Sequence, residues 1–126
     1  MSGAGERQLP ELPDATAPDG SEVRILVSVP RGSMAHFRLQ PGQVAQAIVH
    51  RSVDELWYVT SGQGRIWRKA ADTETVTELV PGLSLTIPVG TSFQFRCDGT
   101  EPLDIVGVTM PPWPGADEAV FVKGRW

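Results

Sequence analysis

The chain is poor in the residues that usually announce chemistry: it has one cysteine, Cys97, and two histidines, His36 and His50, in 126 residues. A single thiol excludes an internal disulfide framework and fits a reducing compartment, so a cytoplasmic location is expected. Long apolar runs are missing as well. None approaches the roughly 20 residues of a membrane-spanning helix, and Met1 to Gln8 lacks the apolar centre of a signal peptide. The net charge of −4 offers no basic face for nucleic acid. Arg65, Arg68 and Lys69 cluster locally, as solvated strand residues do. Helical periodicity, internal repeats and low-complexity segments are also lacking, which excludes a succession of βαβ units.

What remains is a pattern of short runs and turns. At 40% hydrophobic and 21% charged, the composition is that of an ordinary globular domain. A chain this short is one domain, burying roughly two-thirds of its unfolded surface. Residues 1–22 carry Pro10, Pro13 and Pro18 and read as an extended N-terminal arm, ahead of a single domain over 23–126. From Val23 to Met110 the chain breaks into β-rich runs. Their punctuation is Pro30-Arg-Gly32, Pro41-Gly42, Ser61-Gly62, Pro81-Gly82, Pro88-Val-Gly90 and Asp98-Gly99. Runs at such spacing predict an all-β sandwich or barrel. The proline-rich tail from Pro111 is expected to lie across the barrel surface rather than in a central strand.

Two blocks carry the functional signal. In the first, Ile48-Val-His50 leads to Glu55, and six residues separate Glu55 from Gly62. In the second, five residues separate Gly82 from Pro88, with Gly90 two further on. Together they resemble the paired signatures of the cupin family, over roughly Ser33 to Thr109. The resemblance implies a double-stranded β-helix, or jelly-roll barrel, with its working site inside, and a homodimer formed around Val23–Val29. It also implies a divalent metal held by three histidines and a glutamate. Here His50 and Glu55 fall on two of those positions, whereas Ile48 and Phe93 fall on the other two and Cys97 falls on a frequent asparagine.

Ile48 and Phe93 carry no lone pairs, so no resident cofactor is expected. The expected function is a binding module that has lost its metal and holds a small, partly apolar metabolite. Ile48, Trp57, Phe93 and Phe95 are its expected walls, with His50, Glu55 and Gln46 as polar anchors. Gln46 is included because it shares strand parity with Ile48 and His50. Tyr58, three residues beyond Glu55, should face the opposite side. A second reading makes His50 and Glu55 a catalytic acid/base pair in a metal-free isomerase, cyclase or lyase. In that pair the carboxylate favours the imidazolium and burial disfavours it, leaving the net direction open. A third reading lets His36 join His50 and Glu55 as a two-histidine, one-carboxylate site for a divalent transition metal, serving an oxygenase or decarboxylase.

Overall fold

The computed structural model describes residues 4–126. The strands are β1 (Ala15–Thr16), β2 (Glu22–Val29), β3 (Gly32–Leu39), β4 (Ile48–His50), β5 (Asp54–Ser61) and β6 (Gly64–Ala70). They continue with β7 (Thr73–Leu79), β8 (Ser84–Ile87), β9 (Ser92–Cys97), β10 (Leu103–Met110) and β11 (Ala119–Phe121). One sheet runs β1-β2-β3-β10-β5-β8 and the other β11-β4-β9-β6-β7.

The pairings nest. β6 pairs β7, β5 pairs β8, β4 pairs β9 and β3 pairs β10, all antiparallel, as though one long hairpin had been rolled up about the turn at Ala71-Asp72. This is the double-stranded β-helix expected from the sequence. Among the described residues no helix is long and apolar enough to cross a membrane.

Strict alternation puts one face of each strand inside. Glu55, Trp57 and Val59 of β5 are buried while Asp54, Leu56, Tyr58 and Thr60 are exposed. Leu103, Ile105, Gly107 and Thr109 of β10 form another inward row. With Leu39, Ile66, Leu79, Leu85, Ile87, Phe93, Phe95 and Cys97 they build one core between the sheets. Burying each large aliphatic side chain contributes about 1.5–3 kcal/mol.

The signature glycines act as turn formers. Gly62, Gly82 and Gly90 have φ of 87°, 93° and 83°, where a side chain is strained. At Gly62 a Cβ would also collide with the Pro102 carbonyl.

Residues 7–16 are tied down on the outer face of the first sheet. Arg24, on β2, donates from Nε to Pro10 O at 2.9 Å and from Nη2 to Glu11 O at 2.7 Å, and its side chain is buried. Arg7 pairs with Asp14, whose carboxylate also accepts the Ile25 N–H. Ala15 and Thr16 then add a strand to β2. In the tail, Ala119–Phe121 pairs the edge of β4. The intervening Glu118 is buried and accepts hydrogen bonds from Ser52 N, Ser52 Oγ and Val53 N.

Candidate functional site

The barrel is solid at one end and hollow at the other, and the inward rows explain why. Along β3 they run Leu39, Phe37, Ala35, Ser33, and along β10 Leu103, Ile105, Gly107, Thr109. In each row large residues give way to small ones, leaving a cavity of about 440 Å³. Such a volume lies within the range of small-molecule sites, about 300–1,000 Å³.

Ile48 and His50 of β4, Glu55 and Trp57 of β5 and Phe93 of β9 project into the cavity. Residues 15–19 close one side, and Trp113 and Ala116 of the tail close another. Gly107 is essential to this shape. A Cβ there would stand 2.7 Å from both Glu55 Oε2 and Phe37 Cε2.

The walls are mostly aromatic. The His50 ring meets Phe93 and Trp113 edge-on, each at 5.3 Å between centroids. Trp57 meets Phe93 at 5.8 Å and is tilted against Phe37 at 6.2 Å.

His50, Glu55, Trp57 and Asp19 interrupt this apolar lining, alongside the hydroxyls of Thr16, Ser28, Ser33 and Thr109. His50 Nδ1 lies 3.6 Å from Glu55 Oε1, within ion-pair range but beyond a hydrogen bond, and it has no partner. The Trp57 indole N–H is likewise buried without a partner. Asp19 is buried too, with Oδ1 accepting from Ser21 N at 3.0 Å and Ser21 Oγ at 2.7 Å.

Burial decides the protonation states. It pushes the Glu55 carboxyl up to about 8, the Trp57 indole opposes weakly, and the nearby Asp19 adds to the rise. The indole comes near enough to act on the charge, yet its geometry falls short of a hydrogen bond. Burial also lowers His50, against a weaker opposing pull from Glu118. At neutral pH the pair is a neutral acid beside a neutral base, not a salt bridge. Asp19 is raised by burial, with the Ser21 hydrogen bonds opposing.

Ile48, His50, Glu55, Trp57 and Phe93 therefore meet around one space, as their strand parity predicts. Two expected ligand contacts do not. Gln46 is exposed and outside the cavity. Between the isolated bridge at Val44 and the start of β4 the chain leaves the sheet, and consecutive Ala47 and Ile48 are both buried, so parity cannot be counted across it. Phe95 does point inward, but one layer deeper. It packs under Trp57 at 4.8 Å between ring centroids and supports the cavity without lining it.

The alternative metal set is also corrected. His36 stands in register with Arg24 and Val106, whose neighbours Ile25 and Gly107 line the cavity, so it faces the opposite side of the sheet. There it is buried, 3.3 Å from Asp104 Oδ1. Burial works against ionisation of Asp104, but hydrogen bonds from His36, Arg38 and Ser61 outweigh it and hold the carboxyl well below its usual range. His36 serves this outer-face cluster.

The residues do not fit a metal. Ile48 and Phe93 pair directly across β4 and β9 at the two positions where the family resemblance calls for histidines. Among the described residues no three His, Cys, Asp or Glu side chains gather as a ligand set. Two protein donors are too few for the tetrahedral or octahedral spheres that transition metals favour.

Several cavity residues escaped the sequence reading. Phe37 and Gly107 belong to alternating runs and were open to the parity argument applied to β5. Asp19 sits in a proline-rich segment without periodicity, where no local signal existed.

Three comparisons place this architecture. The KdgF structure from a Halomonas species superposes with a TM-score of 0.66 at 16% identity, covering 78% of this chain and 85% of that one. A conserved double-stranded β-helix protein from Klebsiella pneumoniae superposes at 0.68 and 18% identity, covering 90% and 93%. The capsular polysaccharide assembling protein CapF from Staphylococcus aureus gives 0.71 at 18% identity, covering 86% of this chain and 33% of CapF. At such identities these likenesses concern the fold alone. No curated protein matched the sequence. Residues 35–109, more than half of the chain, match the family model described as the cupin domain. With the nested strand pairing and the two signature blocks, this makes the chain a member of the cupin family.

Proposed function

We propose that this cupin is a small-molecule-binding protein that has lost the metal of its family and holds a partly apolar metabolite in the barrel. One observation carries the reading: Ile48 and Phe93 occupy two family ligand positions, side by side on the cavity wall. The same substitutions that remove two donors extend an aromatic, water-excluding surface. His50 and Glu55, both uncharged at neutral pH, serve as polar anchors in that surface.

The decisive experiment is elemental analysis of the purified protein alongside native mass spectrometry. The expected result is metal far below one equivalent, and an organic adduct lost on denaturation. Near-stoichiometric metal that disappears in a His50→Gln variant would overturn the proposal.

The close approach of His50 and Glu55, 3.6 Å apart, supports a second reading as a metal-free isomerase, cyclase or lyase. There neutral His50 is the base and Glu55 its orienting partner. Once a ligand is known, His50→Gln separates the two. A binding protein loses a modest part of its affinity, whereas an enzyme keeps binding and loses turnover.

Cytoplasmic location and a homodimer belong to the same proposal. Val29, Leu56 and Tyr58 expose apolar surface on the first sheet, which a second copy would cover. Light scattering on the purified chain should give twice the monomer mass.

A further inference from the structure

The charge of the occupant follows from what borders the cavity; this step rests on reading it as a metal-free ligand site. None of the described residues lining the cavity is Lys or Arg, while Asp19 and Glu55 both line it. A phosphate or carboxylate entering this space would lose its hydration and meet two carboxyl groups without a compensating cation. Anionic metabolites are disfavoured on charge alone.

The positions of the two acids turn exclusion into selection. His50 Nδ1 and Trp57 Nε1 are sealed away from any ligand, but neither Glu55 oxygen is among the atoms sealed without a partner. Oε2 hangs over Gly107, which itself lines the cavity and where a Cβ would stand only 2.7 Å from that oxygen. Asp19 comes to the same space from the arm. Ser21 takes up its Oδ1, Oδ2 is left unbonded, and its charge acts on Glu55 from nearby. Burial by itself disfavours the charged form of both acids, and a cation beside them favours it, the released proton passing to solvent.

The rest of the wall suits the same guest. Phe37, Trp57, Phe93, His50 and Trp113 form a contiguous chain of rings along the cavity, with neighbouring centroids 5.3–6.2 Å apart. Aromatic faces attract a cation within about 6 Å, by about 2 kcal/mol where water is excluded. A primary ammonium would bring three N–H donors into this largely apolar space, each needing an acceptor. A methylated nitrogen carries the charge with few or none, and its methyl groups pack against the rings.

We propose that the cavity takes a small organic cation with its charge on a methylated nitrogen, held between the Glu55 and Asp19 carboxyls and the rings of Phe37, Trp57, Phe93 and Trp113. Carboxylates and phosphates are rejected, and uncharged compounds of the same shape bind more weakly.

The test titrates four probes into the full chain at pH 7 by ligand-observed NMR. Phenyltrimethylammonium and tert-butylbenzene share one shape and differ in a charged nitrogen for a carbon; toluene and benzoate complete the set. The expected result is that phenyltrimethylammonium binds at least about tenfold tighter than tert-butylbenzene or toluene, and that benzoate does not bind. Glu55→Gln and Asp19→Asn keep the shapes of the two side chains. Each should weaken the cation at least about fivefold more than it weakens tert-butylbenzene. If a variant fails to fold, the probe ratios on the native chain decide alone.

Benzoate equalling the cation would overturn the inference, as would equal losses for the cation and tert-butylbenzene in both variants. Tert-butylbenzene or toluene binding with no advantage for the cation sinks this inference and leaves the apolar receptacle standing. If no probe binds, the inference falls, and a full equivalent of metal in the protein would take the receptacle reading with it.

Discussion

Replacing Glu55 with Gln tests the electrostatics of the cavity most directly, because Gln keeps the shape and cannot ionise. Burial pushes the folded carboxyl up to about 8, against an ordinary value of 4.5. Between those values the folded chain holds a proton that the unfolded chain has released. Stability from this group is thus full below about 4.5 and is lost as pH rises toward 8. At about 1.36 kcal/mol per unit, the whole shift corresponds to roughly 5 kcal/mol, of which about 4 kcal/mol falls between pH 5 and pH 9. Asp19, also raised, adds to the same trend.

His50 works in the opposite sense. Its depressed value means stability present above the ordinary histidine range and lost as pH falls through it. The native chain should accordingly weaken steadily from pH 7 to pH 9. Urea unfolding followed by tryptophan fluorescence at several pH values measures this. Glu55→Gln should flatten the alkaline slope and exceed the native chain by up to about 4 kcal/mol at pH 9, with little difference at pH 5. An unchanged slope in the variant, or native stability that rises toward pH 9, would refute the claim that Glu55 is buried as a neutral acid.

Three further expectations concern the walls. Ile48→His with Phe93→His should rebuild a four-donor centre with His50 and Glu55 and bind one equivalent of Co(II), read by its visible absorption; a folded double variant that takes up no metal would contradict the assigned register. Gly107→Ala should cost about 1–3 kcal/mol and abolish toluene binding, since the new Cβ meets Glu55 Oε2, Phe37 Cε2 and Trp57 Cδ1 within 3.3 Å. Unaltered toluene binding would show that the cavity floor lies elsewhere. Arg24→Met removes the charged donor to Pro10 O and Glu11 O. A loss of about 2–3 kcal/mol and faster tryptic cleavage after Arg7 are expected, and unchanged cleavage would show that the arm is held by other contacts.

Much of the site was readable before any fold was known, but only where strand alternation ran unbroken. Glu55, Trp57 and Tyr58 lie within one continuous strand, and their inward or outward sense follows from a period of two. Gln46 shows the limit of that argument. A stretch of three residues off the sheet separates the Val44 bridge from β4, and the count fails across it. Phe95 shares its face with Phe93, yet alternation says nothing about depth along the barrel axis, and the cavity stops one layer above it.

His36 turned on a neighbour seventy residues away. Pairing with Val106 fixes its face, and the arm anchored on Arg24 lies over that side of the sheet. Protonation was equally beyond a linear reading. Glu55 is a neutral acid because apolar side chains from distant strands have removed its water, and nearness to His50 in sequence could not reveal that.

The chain order alone thus determined the architecture, the turn glycines and the replacement of two donors by Ile48 and Phe93. Those features depend on residue type and on a backbone repeat that operates locally. Only the rolled-up hairpin decided that a hollow exists, that Asp19, Gly107 and Trp113 border it, and that its acid and base are uncharged. Volume and desolvation are properties of what packs across a gap, and nested pairing fills that gap with side chains far apart in sequence.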